Sequence, residues 1–248
     1  MIGLGTLINC GAVIAGASVG LLIKGGLPAR FEQTIMAALG LCTCFIGIGG
    51  VLSGVLIVRN GAVSTQYTML LVLSLMLGAI VGEAIDIEAK MNYIGEWCKN
   101  RLHIKGKSGA TFVDGFVSAS LLFCVGAMAI VGSLEDGLNG DCTVLLAKSV
   151  LDGISAIVFA ASLGIGVYLS AVPILLYQGA ITLLAGYIRP YLSEILITQV
   201  SCVGSVLIFA IGLNFLTAKK TKVGNLLPSI FFPVLFYYLK AIFPALPL

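Results

Sequence analysis

Lys148 and Asp152 are the two residues of this chain whose types and spacing are best suited to chemistry. They are four positions apart inside a long apolar stretch, so they share one face of a helix. A charge at the centre of a bilayer costs roughly 2.5–3.5 kcal/mol on insertion scales, so such residues pair with one another or line a wet cavity. Two interpretations are open at this stage. Either the two form a structural ion pair near the lipid headgroups, or Asp152 binds a cation or a proton and Lys148 tunes or gates that binding.

A glycine- and serine-containing run that occurs twice is the second candidate for a site. Residues 47–57 read GIGGVLSGVLI and residues 164–174 read GIGVYLSAVPI, with seven of the eleven positions identical. Inverted repeats with glycine-interrupted helices place the substrate site of secondary transporters at the interruption. The repeated run therefore predicts a symmetric site near the middle of the membrane that contains Gly47, Gly49, Ser53, Gly164, Gly166 and Ser170.

Further polar residues lie inside apolar stretches. Asn9 and Gln178 are predicted to contribute to the site, and Asn214 lies in a later apolar stretch. Hydrogen bonding between helices is the commoner role of such residues. The segment 135–141, with three carboxylates, is predicted to be an acidic loop outside the membrane that is either simply solvated or attracts cations.

Enzymatic activity is not expected from this sequence. The segment 16–20 matches the nucleophile-elbow pattern, but it lies within an apolar stretch, and that motif needs a strand-to-helix turn. The only histidine, His103, lies in a polar segment, and the chain has no HExxH, P-loop or GxGxxG motif. Cys42 and Cys44 are two apart on a helix and face different directions, so no metal site is predicted there. No cofactor is predicted either.

Composition shows that the elements which position these residues are membrane spans. The 248 residues are 59% hydrophobic and only 10% charged, whereas soluble domains are about 25% charged. Apolar stretches recur that are long enough to cross a hydrocarbon core of about 30 Å. We predict an all-α membrane protein with eight transmembrane helices, or seven if the last does not cross, at residues 3–23, 35–58, 67–83, 112–132, 148–170, 172–188, 196–217 and 229–245.

Basic residues between the spans predict the orientation. Ten of the fourteen Lys and Arg residues lie in the segments 24–30, 90–107 and 219–222, which all fall on one side of the membrane if the N-terminus is outside. The first apolar segment has no basic leading region, so we expect it to be retained as a span. The net charge of +3 is modest, and we attribute it to the basic residues that set the orientation. No nucleic-acid partner is expected.

Within a single transmembrane domain, 1–248, the repeated run predicts two inverted repeats of three spans. Repeat A covers 1–83, repeat B covers 112–190, and two extra spans follow at 191–248. Between the repeats, the segment 84–111 is predicted to be a cytoplasmic amphipathic helix and loop. Its apolar residues are spaced by three to four from residue 83 to residue 102, and Trp97 suits the headgroup region.

Several motifs in the second half of the chain carry a resemblance to a known family. They include LLFCVGAMAIVGS at 121–133, KS and LDG at 148–153, YQG at 177–179, GLN at 212–214 and VGNLLP at 223–228, together with GTLIN at 5–9. In this combination the chain resembles the YdfK/YqgA-like bacterial membrane proteins, a family of unknown function, over nearly its whole length. The resemblance implies a bacterial cytoplasmic-membrane protein and carries no substrate or catalytic residue.

A secondary transporter of a small solute or ion is the function that these patterns predict. Its site would lie between spans two and five. The lipid bilayer is the predicted partner of the whole protein. No P-loop is present, so an ion gradient or passive flow would drive transport. A cation channel is the first alternative. A membrane scaffold or sensor that acts through the helix at 83–102 is the second, and assembly into a homo-oligomer is left open.

The charge asymmetry makes the orientation testable with reporter fusions. We expect green fluorescent protein fused after Lys107 to fluoresce and alkaline phosphatase fused there to be inactive, because that segment is predicted to be cytoplasmic. A fusion after Arg59 should give the opposite pattern. Phosphatase activity after Lys107 would reverse the predicted orientation.

Overall fold

The computed structural model describes residues 1–24, 29–59, 61–101, 111–124, 127–217 and 220–242. The α-helices are α1 (Leu4–Lys24), α2 (Ala29–Val55), α3 (Thr68–Ile85), α4 (Ile87–Arg101), α5 (Phe112–Cys124), α6 (Ala127–Asn139), α7 (Thr143–Leu163), α8 (Gly166–Leu169), α9 (Ala171–Leu183), α10 (Ala185–Ile188), α11 (Glu194–Leu216) and α12 (Phe232–Ile242). Two 3₁₀ helices, Arg189–Tyr191 and Val223–Phe231, and two strands, β1 (Leu56–Arg59) and β2 (Ala62–Thr65), complete the described elements.

Several of these helices, alone or joined end to end, have the length and composition of membrane spans, which confirms the predicted all-α membrane class. In the described part of the chain, six segments are long and apolar enough to cross a bilayer: α1, α3, α7, α11, α8 continued by α9, and the second 3₁₀ helix continued by α12. The bent pair α5 and α6 adds a seventh if it is one span. The second half of α2, Gly40–Val55, is a shorter apolar helix. The predicted number of eight crossings stays a prediction.

The chain is divided into two compact units. The first unit comprises Met1–Leu39 and Met91–Tyr191, and the second comprises Gly40–Lys90 and Leu192–Leu248. The predicted repeat A is thereby divided between the units, whereas the predicted repeat B lies in the first. The inverted repeat of three plus three spans stays a prediction.

The first unit is organised by a close contact between α1 and α7. A Cβ atom on Gly5 would lie 2.7 Å from the Leu145 side chain, and Cβ atoms on Gly16 and Gly20 would collide with backbone oxygens of α7, those of Gly153 and Ile157. Residue numbers rise together along both helices, so α1 and α7 run parallel. Small residues let helix backbones approach closely inside lipid, where the hydrophobic effect does not drive association.

The bent pair α5 and α6 runs the length of α7 in the opposite direction. At the beginning of α5, the Thr111 hydroxyl donates to the carbonyl of Leu163, the last residue of α7, at 2.6 Å. About halfway along α6, a Cβ atom on Gly132 would lie 2.9 Å from Leu145 at the beginning of α7. The axes of α5 and α6 differ by 60°. The pair therefore extends antiparallel to α7, as one broken span would.

The second unit uses the same kind of packing. Gly40 contacts Leu216 and Gly54 contacts Cys202, so α2 and α11 run antiparallel. Gly82 packs against Asn225, and Gly78 packs against Ser229 in the 3₁₀ helix. Within both units, the helix directions are those that eight alternating crossings require.

The predicted end of span two is wrong. The helix α2 ends at Val55, and β1 pairs antiparallel with β2, Leu56 opposite Thr65. Gly61, at φ +77, lies in the turn of this hairpin. The β-branched residues 57, 58, 63 and 65 favour strands. Because residues 57 and 58 are also apolar, the predicted span extends to residue 58.

The predicted interruption of span two is wrong, whereas the predicted span five does break at Gly164, where the break ends a helix. The helix α2 continues through Gly47 and Gly49 without a break. The helix α7 ends at Leu163, and Gly164, at φ +87, lies in the short turn before α8. This positive φ ends a helix and suits glycine. Because the turn contains only apolar residues and glycine, the sequence pattern had placed it inside a span at 148–170.

A helix lies in the predicted segment but begins later, at Ile87, and its amphipathic character stays a prediction. The helix α3 continues through Ile85, Asp86 adopts φ +53, and α4 then begins at Ile87. Trp97 is 58% exposed on α4. The side chains of Met91, Ile94 and Cys98, and residue 102, lie outside the described residues.

The contact between α1 and α7 can be tested with a matched pair of glycine substitutions on α1. We expect Gly16→Ala to destabilise the protein by about 1–3 kcal/mol, since the added methyl group must displace α7. Gly11 has no atom within 4 Å of a Cβ position among the described residues. Gly11→Ala should leave stability unchanged or raise it by about 0.5–1 kcal/mol. Thermal unfolding of the purified protein in detergent measures both, and equal effects would contradict the packing.

Candidate binding site in the first unit

Four buried polar side chains meet in the first unit. Asn9 comes from α1, Lys148 and Asp152 come from α7, and Gln178 comes from α9. The exposed fractions are 0% for Asn9 and Gln178, 6% for Lys148 and 7% for Asp152. The Lys148 Nζ donates to Asp152 Oδ2 at 2.5 Å, and the Asn9 Nδ2 donates to the same oxygen at 3.0 Å. We call these four residues the central cluster.

The helices place the central cluster well inside the membrane-spanning part of the unit. Asp152 is the tenth of the 21 residues of α7, about 13 Å along an axis that rises 1.5 Å per residue. A helix of this length can cross a hydrocarbon core of about 30 Å, and Asp152 lies about halfway along it. Lys148 lies one turn closer to the beginning of α7 and reaches Asp152 in an i,i+4 ion pair. Both interpretations of the pair stay predictions.

The central cluster leaves two amide atoms without a partner. The Asn9 Nδ2 also donates to Gln178 Oε1, at 3.3 Å, so both its hydrogens are used. Asn9 Oδ1 and Gln178 Nε2 are buried and have no hydrogen-bond partner among the described residues. A buried polar atom without a partner costs about 1–3 kcal/mol. A bound molecule that offers a hydrogen-bond donor or a positive charge to Asn9 would remove part of that cost.

Polar side chains continue from the central cluster toward one end of the unit. Thr6 lies one turn before the cluster on α1, Thr182 lies one turn after it on α9, and Ser133 lies on α6. All three hydroxyl oxygens are buried and unpartnered within the described residues. The helices α6 and α9 meet at this end, because Gly137 packs against the backbone of Thr182.

On the other side of the central cluster, toward the end of α7, the unit is filled by apolar side chains. Phe159 lies two turns beyond Asp152 on α7, and its ring contacts Phe123 edge-on, with centroids 6.0 Å apart. Both rings are fully buried, as is Ala156 between Asp152 and Phe159. The unit therefore has a polar half and an apolar half, and the central cluster lies at the boundary between them.

The acidic segment 135–141 does not form the predicted loop. The helix α6 extends to Asn139, and Asp136 is fully buried, accepting hydrogen bonds from the backbone N–H groups of Gly3 and Gly5. A carboxylate at this position caps the positive end of α1. Asp141 accepts from the backbone and side chain of Thr143, and these bonds lower the pKa of its carboxyl group.

The other predicted site residues have surroundings of their own. In the first unit, Gly166 packs against the Phe112 carbonyl and the Ser170 hydroxyl donates to Val167 O. In the second unit, the Ser53 hydroxyl is exposed and donates to its own helix. Gly47 packs against Phe209, Gly49 faces open space, and Asn214 accepts from the backbone N–H of Thr221 after α11. Their participation in binding stays a prediction.

The sequence analysis missed a second polar cluster, in the second unit. Asn225 accepts from the backbone N–H of Glu88 at 2.7 Å and donates to Glu83 at 2.7 Å. Lys222 donates to Glu83, and this contact raises the pKa of the lysine. The VGN motif at 223–225 was the sequence signal for this cluster. Its members satisfy one another and join α3 and α4 to the 3₁₀ helix, so we assign it a structural role.

Comparisons with known proteins identify the family. The family model "Protein of unknown function (DUF554)" matches residues 4–238. This chain belongs to the DUF554 family. Among relatives, "Uncharacterized membrane protein YdfK" of Bacillus subtilis is 32% identical over 229 residues, which cover 92% of this chain and 93% of that protein. "Uncharacterized protein YqgA" of Escherichia coli is 31% identical over 229 residues, with the same coverage. No solved structure matches.

Membership of the DUF554 family confirms the resemblance seen in the motifs. It also agrees with a multi-pass membrane protein, since one relative is named as a membrane protein and several apolar helices of this chain can span a bilayer. The family supplies no function. The geometry of the central cluster is therefore the main evidence on what this DUF554 protein does. Among the described residues, no group of three His, Cys, Asp or Glu side chains could hold a metal ion.

Coupling within the central cluster can be measured with a double-mutant cycle in this DUF554 protein. Lys148→Met should destabilise the fold by about 3–5 kcal/mol, because it leaves a buried carboxylate without its partner. Lys148→Met combined with Asp152→Asn should cost less than the sum of the single changes, by about 0.5–3 kcal/mol. Unfolding in detergent measures all four proteins. Additive effects would show that the two side chains do not interact.

Proposed function

We propose that this protein is a secondary transporter of a small solute or ion, which binds at the central cluster of the first unit. The observation that carries the proposal is a charged pair near the middle of a membrane-spanning helix, next to two unpartnered amide atoms. Ionisable residues within membrane spans mark substrate or ion pathways. This proposal keeps Asp152, Lys148, Asn9 and Gln178 from the sequence prediction, and does not rely on the glycine runs.

A structural role alone accounts poorly for the pair. Replacing a buried ion pair by apolar side chains of similar volume is often neutral or stabilising. The helices α1 and α7 are already held together by their glycine contacts, so they do not need a charge for association. A pair that is costly to bury and not needed for packing suits a site whose charges interact with a ligand.

Burial of the pair favours a transporter over a channel. The central cluster is enclosed, and Phe123 and Phe159 close the unit on its apolar side. A channel needs a continuous wet path, whereas a transporter opens its site to one side at a time. The axes of α5 and α6 differ by 60°, and the short helix α8 meets α9 at Ser170, close to Pro173. Helices bend at such positions.

The orientation and location of the protein are part of the proposal. We place it in the bacterial cytoplasmic membrane with the N-terminus outside, which puts the polar half of the first unit on the outer side. The solute would then reach the central cluster from the outside, past Thr6, Ser133 and Thr182. Transport would be driven by an ion gradient or be passive.

A membrane scaffold or sensor is the second candidate function. It is favoured by α4, on which Tyr93 and Trp97 are 72% and 58% exposed. Aromatic residues of this kind suit a membrane surface or a partner protein. Deletion of residues 87–101 should abolish partner capture under this alternative and leave flux through the first unit unchanged under the transporter proposal.

Flux through reconstituted protein tests the proposal. Proteoliposomes would be assayed for saturable uptake and counterflow of ²²Na⁺, ⁸⁶Rb⁺ and ¹⁴C-labelled amino acids. We expect at least one probe to show counterflow and Asp152→Asn to reduce its rate by about tenfold or more, since a tenfold change requires about 1.4 kcal/mol. Asp141→Asn serves as the control, because Asp141 only caps α7, and should leave the rate unchanged.

Two results would contradict the proposal. Conductance without counterflow would favour the channel, and equal rates for the native protein and Asp152→Asn would remove Asp152 from the pathway.

A further inference from the structure

We propose that the central cluster binds a small monovalent cation, an alkali-metal ion or ammonium, at Asp152, and that the Lys148 ammonium group is a tethered competitor which holds the same carboxylate when the site is empty. The use of this binding in transport rests on the proposed function, but the binding itself does not.

The charge balance of the central cluster selects a monovalent cation. One carboxylate and one ammonium group are buried together. If an ion with a single positive charge takes the place of Lys148 at Asp152, the carboxylate stays neutralised. The one added charge is then that of the displaced ammonium group, on the side of the cluster where Asp136 lies. A divalent ion would add a second positive charge next to a low-dielectric region, and an anion would meet the Asp152 carboxylate.

The available ligand atoms are oxygens. Asn9 Oδ1 is buried and unpartnered within the described residues. Both hydrogen bonds to the Asp152 carboxylate end on Oδ2, and none found among the described residues ends on Oδ1. Carboxylate and amide oxygens are hard ligands that suit alkali-metal ions, whereas transition metals prefer thiolate or imidazole. An ammonium ion can donate hydrogen bonds to the same oxygens.

A displaced Lys148 has acceptors on its own side of the cluster. It lies one turn nearer than Asp152 to the beginning of α7, the end of the unit where Thr6, Ser133 and Thr182 have unpartnered hydroxyl oxygens. The carboxylate of Asp136 lies at the same end. The ammonium group of lysine is a point charge on a flexible four-carbon stem. When the Lys148 ammonium group leaves Asp152, it can therefore donate its hydrogen bonds to these hydroxyl and carboxylate oxygens instead.

Competition by a tethered group lowers the apparent affinity for the free ion. When only a fraction of the protein is competent to bind, the apparent Kd equals the intrinsic Kd divided by that fraction. A lysine that occupies Asp152 more than about nine-tenths of the time therefore weakens ion binding by about tenfold or more. Removing the lysine should reveal the intrinsic affinity.

The experiment measures the thermal stability of the full chain in detergent at mildly alkaline pH. N-methyl-D-glucamine chloride is replaced stepwise by NaCl, KCl or NH₄Cl at constant ionic strength, because ligand binding to the folded state raises stability. We expect the native protein to be stabilised only at high concentrations of at least one salt. In Lys148→Met, the midpoint should fall by about tenfold or more. Lys90→Met, which removes an exposed charge, should behave like the native protein.

A double variant keeps the proposal testable if Lys148→Met does not fold. The double variant with Lys148→Met and Asp152→Asn removes both charges of the central cluster. Its thermal stability should therefore be the same in all the salts. Identical salt responses of the native protein and this double variant would overturn the proposal. So would an unchanged midpoint in Lys148→Met, or stabilisation by acid with none from the three cations.

The same variants separate this inference from the proposed function. If a cation stabilises the protein but proteoliposomes show no counterflow, the transport proposal fails and the cation site stands. If an amino acid is transported in a manner that depends on Asp152 while no cation stabilises the protein, the cation site fails and transport stands.

Discussion

The close, parallel contact between α1 and α7 is the constraint on which the first unit depends. Inside lipid, apolar side chains gain little from leaving their surroundings, so helices associate where small residues allow backbones to touch. Gly16 and Gly20 provide that approach. The contact brings the Asn9 amide within 3.0 Å of the Asp152 carboxylate. It also fixes the direction of α7 relative to α1, and with it the direction in which the bent pair α5 and α6 crosses.

A charged pair can be accommodated in this unit because several favourable interactions converge on one carboxylate oxygen. The ammonium group of Lys148 supplies the opposite charge and the Asn9 amide supplies a further donor. Burial of an ion pair is nevertheless expensive compared with apolar packing. In this unit the buried ion pair lies in the central cluster. Buried hydroxyl groups lie on one side of the cluster, and packed aromatic rings lie on the other. Under the proposed function, an enclosed site of this kind requires a change in helix arrangement before a solute can leave it.

The second unit shows the same packing rule without a charge in its middle. Gly78 and Gly82 let α3 lie directly against the 3₁₀ helix. Its described ion pair, Lys222 with Glu83, is largely exposed at the end of the helices. Asn225 joins that end by hydrogen bonds to neighbouring carboxylate and backbone groups. Charge at a helix end interacts with water and headgroups, so it holds the junction in place at little cost and has no need of a ligand.

The sequence by itself determined the membrane class and most apolar helices, because apolar length follows directly from composition along the chain. It also included the four residues of the central cluster among eleven candidates, because polar residues stand out inside apolar stretches. Tertiary structure decided which of the candidates meet. The glycine run at 164–174 reads as span interior, yet a positive φ at Gly164 turns the chain there. The segment 135–141 reads as a loop, yet Asp136 caps α1 from inside a helix. The identity of a residue shows that it can pair, whereas its partner depends on helix packing between positions more than a hundred residues apart. For Lys148 and Asp152, the spacing already indicated a pair, but only the fold showed that Asn9 and Gln178 complete it near the middle of a span.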